Sequence, residues 1–206
     1  MGLYQLISPS DAAAVLNTTS NVEWSQGRAR TKALEGTVKQ NQEVLSAPVL
    51  SEIGNRLMKN AGIQLNHIPF RVHSPKFSRY CVGDRYHLHT DAPWMGETRT
   101  DLSCTIWLSD PDSYQGGWLK VGGKSYKGQP GQVLVYECGT PHEVTPVTNG
   151  ERVCVVTWMQ SRIRDAAKRK IVSDFRKFLS KLEVDQQELF LEGGAIHSSI
   201  IRMWME

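Results

Sequence analysis

The chain has 206 residues, enough for one domain with a substantial core. Its 24 Lys and Arg against 21 Asp and Glu leave a formal net charge of +3, too mild a basic balance to suggest a nucleic-acid footprint. The start, MGLYQLISPSDAAAVL, lacks the charged and apolar regions of a secretory leader, and no later segment approaches a membrane span. Cytoplasmic residence is therefore expected, with neither nucleic acid nor membrane as a partner.

Ser8-Pro9-Ser10-Asp11 supplies helix-start chemistry ahead of Ala12 to Leu16. Asn17 to Gln42 is polar with few periodic apolar positions, which predicts loop and short edge strands. Val49, Leu50, Ile53, Leu57 and Met58 recur at helical spacing, with Ser46 as the expected cap and Gly62 as the expected stop. From Pro69 to Gln160 the texture changes to short β-rich runs between Gly, Pro, Asp and Ser clusters. Tyr86 to His89 reads as a strand entering a polar site, and strands are also expected over Phe70 to His73, Arg79 to Val82, Leu102 to Leu108, Gly117 to Val121, Gln132 to Tyr136 and Arg152 to Met159. So many short strands in one block imply a β-sandwich or jelly roll.

Beyond Gln160 the helical period returns, with Ile163, Ala167, Ile171, Phe175, Phe178 and Leu182 on the stripe expected to pack on the sandwich. Its basic run, Arg162 to Lys170, reads as a solvated face. The tail from Leu189, interrupted at Gly193-Gly194, predicts a last short helix. The architecture is thus mainly β with flanking helices, divided as an N-terminal helical and loop region (1–68), a β-sandwich or jelly-roll core (69–160) and C-terminal helices (161–206). Cys81, Cys104, Cys138 and Cys154 show no CxxC spacing, and at least Cys104 and Cys154 lie in apolar strand-like runs, so free, buried thiols are expected.

The chemistry concentrates at His89-Thr90-Asp91. In extended chain, residues i and i+2 share a face, so an imidazole and a carboxylate can meet one cation. His142, after the turn Gly139-Thr140-Pro141, completes a two-His-one-carboxylate face, a set that suits non-haem iron and leaves open coordination positions. A bare H-x-D also occurs by chance among surface residues, and the pattern alone admits several metals. Arg152 opens a strand whose face continues through Cys154, Val156 and Trp158. A guanidinium among such neighbours needs an anionic partner, unless it turns at the strand end to water.

These motifs carry a resemblance. Arg79-Tyr80, His89-Thr90-Asp91, Arg99-Thr100-Asp101-Leu102-Ser103, Leu108-Ser109-Asp110-Pro111, Tyr114-Gln115-Gly116-Gly117, Pro141-His142-Glu143-Val144-Thr145-Pro146-Val147 and Gly150-Glu151-Arg152 resemble the PKHD-type hydroxylases, relatives of the prolyl hydroxylases within the Fe(II)/2-oxoglutarate-dependent dioxygenases. Val38-Lys39-Gln40-Asn41 and Ile201-Arg202-Met203-Trp204 extend the likeness to both flanks. The resemblance implies a double-stranded β-helix, Fe(II) on His89, Asp91 and His142, and the distal carboxylate of 2-oxoglutarate on Arg152. It also implies O2 as co-substrate, ascorbate as an optional reductant, and hydroxylation coupled to decarboxylation of 2-oxoglutarate to succinate and CO2.

Tyr80 is a candidate to hydrogen-bond the co-substrate, Thr105 and Trp107 are candidates to line the pocket, and His87 is a candidate for its rim or for supporting His89. Ala92 to Glu97 and Trp24 to Gln42 are candidate walls of the substrate mouth. The substrate is expected to be a peptidyl residue or a small molecule. A cupin-type metalloenzyme without 2-oxoglutarate would use the triad but not Arg152; a non-catalytic sensor of iron and 2-oxoglutarate would use both.

Overall fold

The computed structural model describes residues 1–27, 38–45, 47–182 and 186–206. The expected cap at Ser46, and positions 28–37 of the polar stretch, lie outside the described residues.

Two antiparallel sheets face each other. The larger runs in the order Gly2–Gln5, Gln132–Glu137, Leu102–Trp107, Arg152–Ser161, Lys76–Tyr80, Gln42–Val44 and Ser25–Gln26, with Pro69–Val72 also paired to the long Arg152–Ser161 strand. The smaller runs Lys124–Tyr126, Leu119–Val121, His142–Val144, Arg85–His89 and Lys39–Gln40. This is the jelly roll expected from the sequence, and segment 1–68 supplies strands to both of its sheets. The outer face of the large sheet, carrying Phe77, Leu102, Ile106, Val133, Val135, Val153 and Val155, packs with Ala12 and Val15 of α1 (Pro9–Asn17), Leu50, Ile53 and Leu57 of α2 (Pro48–Lys59) and Ile63 of α3 (Ala61–His67). Its inner face joins the small sheet through Tyr80, Trp107, Leu134, Tyr136, Leu119, Val121 and Val144. Leu102–Trp107 is buried at every position because both faces are covered: Leu102, Cys104 and Ile106 meet the helix-side core, while Ser103 and Thr105 face the cavity between the sheets.

Several local expectations shift. Ser8 caps α1 by accepting the Asp11 amide, as read. Gly62 is not a stop: α2 ends at Lys59, and Asn60 accepts the Ile63 amide to start α3, which contains Gly62. The strand expected at Arg79–Val82 lies at Lys76–Tyr80, because Asp84 accepts the Cys81 amide and Gly83 adopts φ +92°, turning the chain there.

The buried stripe of the first C-terminal helix is also rotated from expectation. In α4 (Ala166–Leu179) the buried residues are Arg169, Val172, Ser173 and Leu179, whereas Ile171 and Phe178 are 52% and 57% exposed. Arg169 donates to the Ile163 and Arg164 carbonyls and to Glu137, so polar contacts set the rotation that apolar periodicity misassigned. The tail forms one long helix, α5 (Gln187–Trp204), which runs through both glycines. A Cβ at Gly193 would lie 2.4 Å from Leu179, so this glycine marks the close approach of α5 to α4.

His67, at the end of α3, is buried; the Tyr4 hydroxyl lies 3.0 Å from its Nε2, and its carbonyl accepts the Ser161 hydroxyl. Burial, reinforced by the N-terminal ammonium, Arg169 and Lys177, pushes its pKa down to about 3. With the folded value below the unfolded one of about 6.5, the unfolded chain takes up the proton first as pH falls. The stability that His67 contributes is present above about pH 6.5 and is lost through the window down to about 3. Urea melts across pH 7.5 to 4.5 should show stability falling toward acid, and His67→Gln should flatten that dependence. An unchanged slope in the variant would assign the loss to other groups.

Candidate metal centre

The two histidines of the sequence motif sit on adjacent strands of the small sheet, where His142 and His89 are direct cross-strand partners. The next register pair is Val144 with Tyr86, so four residues on one strand oppose three on the other. This bulge resets the period-2 alternation. Tyr86 and His89 both reach the cavity, the Tyr86 ring stacked 3.6 Å from the His89 ring, while His87 and Leu88 are exposed. His87 therefore contributes its backbone rather than its ring: its carbonyl accepts from His89 Nδ1 at 2.7 Å. The Thr140 carbonyl does the same for His142 Nδ1 at 2.9 Å.

With both Nδ1–H groups committed to carbonyls, each imidazole is left with its Nε2 lone pair for a cation. Burial, then the neighbouring His142, lowers the His89 pKa to about 4, so this ring is neutral near pH 7. Asp91 lies beside the rings, its Oδ2 3.6 Å from His142 Nε2. One ligand atom from each of His89, Asp91 and His142 lies within 4.8 Å of the others, the compactness one ion requires.

Ser103 and Cys138 also support Asp91, a role the motif did not reveal. The Ser103 hydroxyl donates to Asp91 Oδ2 and lies 3.0 Å from Cys138 Sγ, and the Cys138 carbonyl accepts the Asp91 amide. Burial raises the Cys138 pKa well above its ordinary value, so the thiol stays protonated and can donate to Ser103. The signal in sequence was the inward parity of Ser103 with Thr105 and Trp107. All four cysteines are free thiols, three of them buried.

The three ligand candidates open onto a cavity of about 290 Å³ between the sheets, also lined by Tyr80, Tyr136, Thr105 and Arg152. Thr105 reaches it, whereas Trp107 packs in the core beneath Gly128. Arg152 is 1% exposed, and its register partner is Tyr80, whose ring lies 5.1 Å from the guanidinium. Among the described residues no carboxylate pairs with it: Nη1 is 3.2 Å from Cys154 Sγ and Nε has no partner. Burial works against its charge, but Cys154, Tyr80 and Tyr114 more than offset this and raise its pKa.

Gly117, at φ +60°, makes room for this group. A Cβ there would lie 3.0 Å from both Arg152 Cδ and the Tyr114 ring. A buried cation with an orphaned donor, aimed into the cavity that holds the triad, fits a dianionic co-substrate.

Fold and site together describe a jelly roll in which one cavity holds a candidate metal face, His89, Asp91 and His142, and a buried arginine. The sequence profile of the 2OG-Fe(II) oxygenase superfamily matches residues 75–160. The chain is 34% identical to the PKHD-type hydroxylase YbiX of Shigella dysenteriae, an alignment covering 98% of this chain and 96% of that protein. A Pseudomonas putida prolyl-4-hydroxylase structure overlays with a TM-score of 0.55 at 18% identity, covering 78% of this chain and 92% of that one. The viral collagen prolyl hydroxylase of Paramecium Bursaria Chlorella virus-1, in complex with 2-oxoglutarate, gives 0.57 at 14%, covering 78% and 94%. The chain belongs to the PKHD-type hydroxylases of the 2OG-Fe(II) oxygenase superfamily. Among the described residues, no helix is long and apolar enough to cross a membrane.

Proposed function

We propose that the protein hydroxylates a small molecule or a peptidyl residue, with Fe(II) held by His89, Asp91 and His142 and the distal carboxylate of 2-oxoglutarate held by Arg152. The observation that carries this reading is the buried Arg152, which has no carboxylate partner among the described residues and faces the same cavity as the triad. A cupin-type enzyme without 2-oxoglutarate has no use for it. Iron bound at the triad supplies the oxidative decarboxylation of 2-oxoglutarate to succinate and CO2, coupled to oxygen transfer into a substrate C–H bond.

The chain's own residues supply the rest. The carbonyls of His87 and Thr140 fix the two imidazoles, Ser103 orients Asp91, and Tyr80 offers a protonated hydroxyl beside Arg152, its pKa raised by burial. Tyr86 stacks on His89 and Tyr136 meets His142 edge-on, so an aromatic ring covers a flank of each imidazole. Ala92 and Met95, from the loop after Asp91, reach the cavity and form one wall of the substrate mouth. The four free thiols accord with a reducing, cytoplasmic setting.

Anaerobic loading with Fe(II), followed by O2 and 2-oxoglutarate, should yield succinate and CO2 in equal amounts even without substrate, slowly. Binding of iron and 2-oxoglutarate with no turnover under any condition would favour the sensor. Ser103→Ala should weaken Fe(II) affinity by about 10- to 100-fold without unfolding the chain, the range typical of a lost hydrogen bond behind a metal ligand. Equal affinity in an iron titration would remove Ser103 from that role.

A further inference from the structure

The cavity has a second charged region that the reaction above does not use. On the inner face of the paired strands, Arg152 stands opposite Tyr80, whereas Lys76 stands opposite Val156, four residues along the same strand. At about 3.3 Å per residue this separates the two basic positions by roughly 13 Å of backbone. Lys76, Glu43 and Lys39 all line the cavity, with side chains only 15%, 4% and 7% exposed. Both ammonium groups bond the same oxygen, Glu43 Oε1, at 2.7 Å from Lys76 and 2.6 Å from Lys39. Burial alone would raise the Glu43 pKa, but the two lysines hold it below its ordinary value, so its carboxylate is ionised and committed.

Lys76 Nζ also sits 5.3 Å from the centre of the Trp158 ring, and Trp158 lines the same end of the cavity. An ammonium has three N–H donors. Among the described residues Lys76 has one hydrogen-bond acceptor, an oxygen already shared, and one aromatic face. Buried charges are costly unless paired, and a cluster whose only task was to fasten strands together would be served by apolar packing at least as well. Its position on the cavity wall, at the end away from Arg152, suits ligand recognition instead.

We propose that Lys76 is a specificity residue, receiving a carboxylate of the substrate while Trp158 packs against the adjoining carbon skeleton. The substrate is then an acid, either a free carboxylic acid or an acidic residue of a peptide. The cavity is small, near the lower end of the roughly 300–1,000 Å³ usual for small-ligand sites, and the co-substrate takes part of it. What enters beside Lys76 is one small molecule or one side chain. This inference rests on the oxygenase reading, in which Arg152 is taken by 2-oxoglutarate and the substrate comes from the opposite end.

The test uses the full chain loaded with Ni(II), which binds without turnover, and saturated with 2-oxoglutarate so that Arg152 is occupied. Calorimetric titration would compare carboxylic acids with their primary amides over aliphatic, aromatic and N-acetylamino-acid scaffolds, the last in α-carboxylate and side-chain forms. Acids should bind about tenfold or more tightly than their amides, Lys76→Met should abolish that preference, and Lys76→Arg should retain it. Which scaffold binds distinguishes a free acid from an acidic residue.

A structural role for the cluster would lower the melting temperature of Lys76→Met while leaving the acid preference of the folded protein intact, and that result overturns the proposal. So does equal binding of acids and amides, or no saturable binding of any acid. Failure of 2-oxoglutarate to bind the Ni(II)-loaded wild type would instead defeat the underlying oxygenase reading.

Discussion

Replacing either motif ligand, His89→Ala or Asp91→Ala, should abolish stoichiometric Fe(II) binding in an anaerobic titration while leaving a folded jelly roll. The expected loss exceeds the roughly 10- to 100-fold that removal of a mere supporting partner causes. His89 cannot be replaced from nearby, since His87 is turned outward by the bulge between the register pairs His142 with His89 and Val144 with Tyr86. Asp91 is the triad's only carboxylate, so its loss also removes the negative charge that offsets the cation. Circular dichroism of the variants should match the wild type. Wild-type iron stoichiometry in both variants would place the metal elsewhere.

Arg152→Met should have two effects of opposite sense. The apparent affinity for 2-oxoglutarate should drop by about 100-fold or more, in line with the 2–5 kcal/mol typical of truncating one member of a buried charge pair. Fe(II) affinity should change little, because Arg152 is not within the triad. The stability of the ligand-free protein should hold or rise, since the substitution removes a guanidinium that is 1% exposed and, among the described residues, lacks an acid partner. Thermal melts with and without 2-oxoglutarate measure both effects. An unchanged co-substrate requirement would deny Arg152 its anchoring role; a large loss of ligand-free stability would make it a structural residue.

Much of this site was legible in sequence because it follows from short-range geometry. The i and i+2 relation placed His89 beside Asp91, and the alternation along Arg152, Cys154, Val156 and Trp158 placed a cation on an otherwise uncharged face. Cross-strand relations were not legible. Nothing local reveals that Tyr86 stacks on His89, because simple alternation sends Tyr86 to the opposite face and only the bulge brings it back. The cluster of Lys39, Glu43 and Lys76 joins residues from three strands in two sheets, a pairing no periodicity reports. The rotation of α4 escaped for a related reason: apolar period predicted Ile171 inward, but Arg169 and its carbonyl partners fixed the face.

The direct pairing of His89 with His142 ties the site to the mechanics of the small sheet. An ion shared by these two side chains is also a clip between neighbouring strands, and it cannot be gripped by a chain in which those strands have separated. Occupancy and folding are then linked by mass action: a free ion at 100 times its dissociation constant adds about 2.7 kcal/mol to the folded state. The melting temperature should accordingly climb with free metal concentration, and proteolytic survival should climb with it. Iron supply would thus set the lifetime of the polypeptide as well as its catalytic competence.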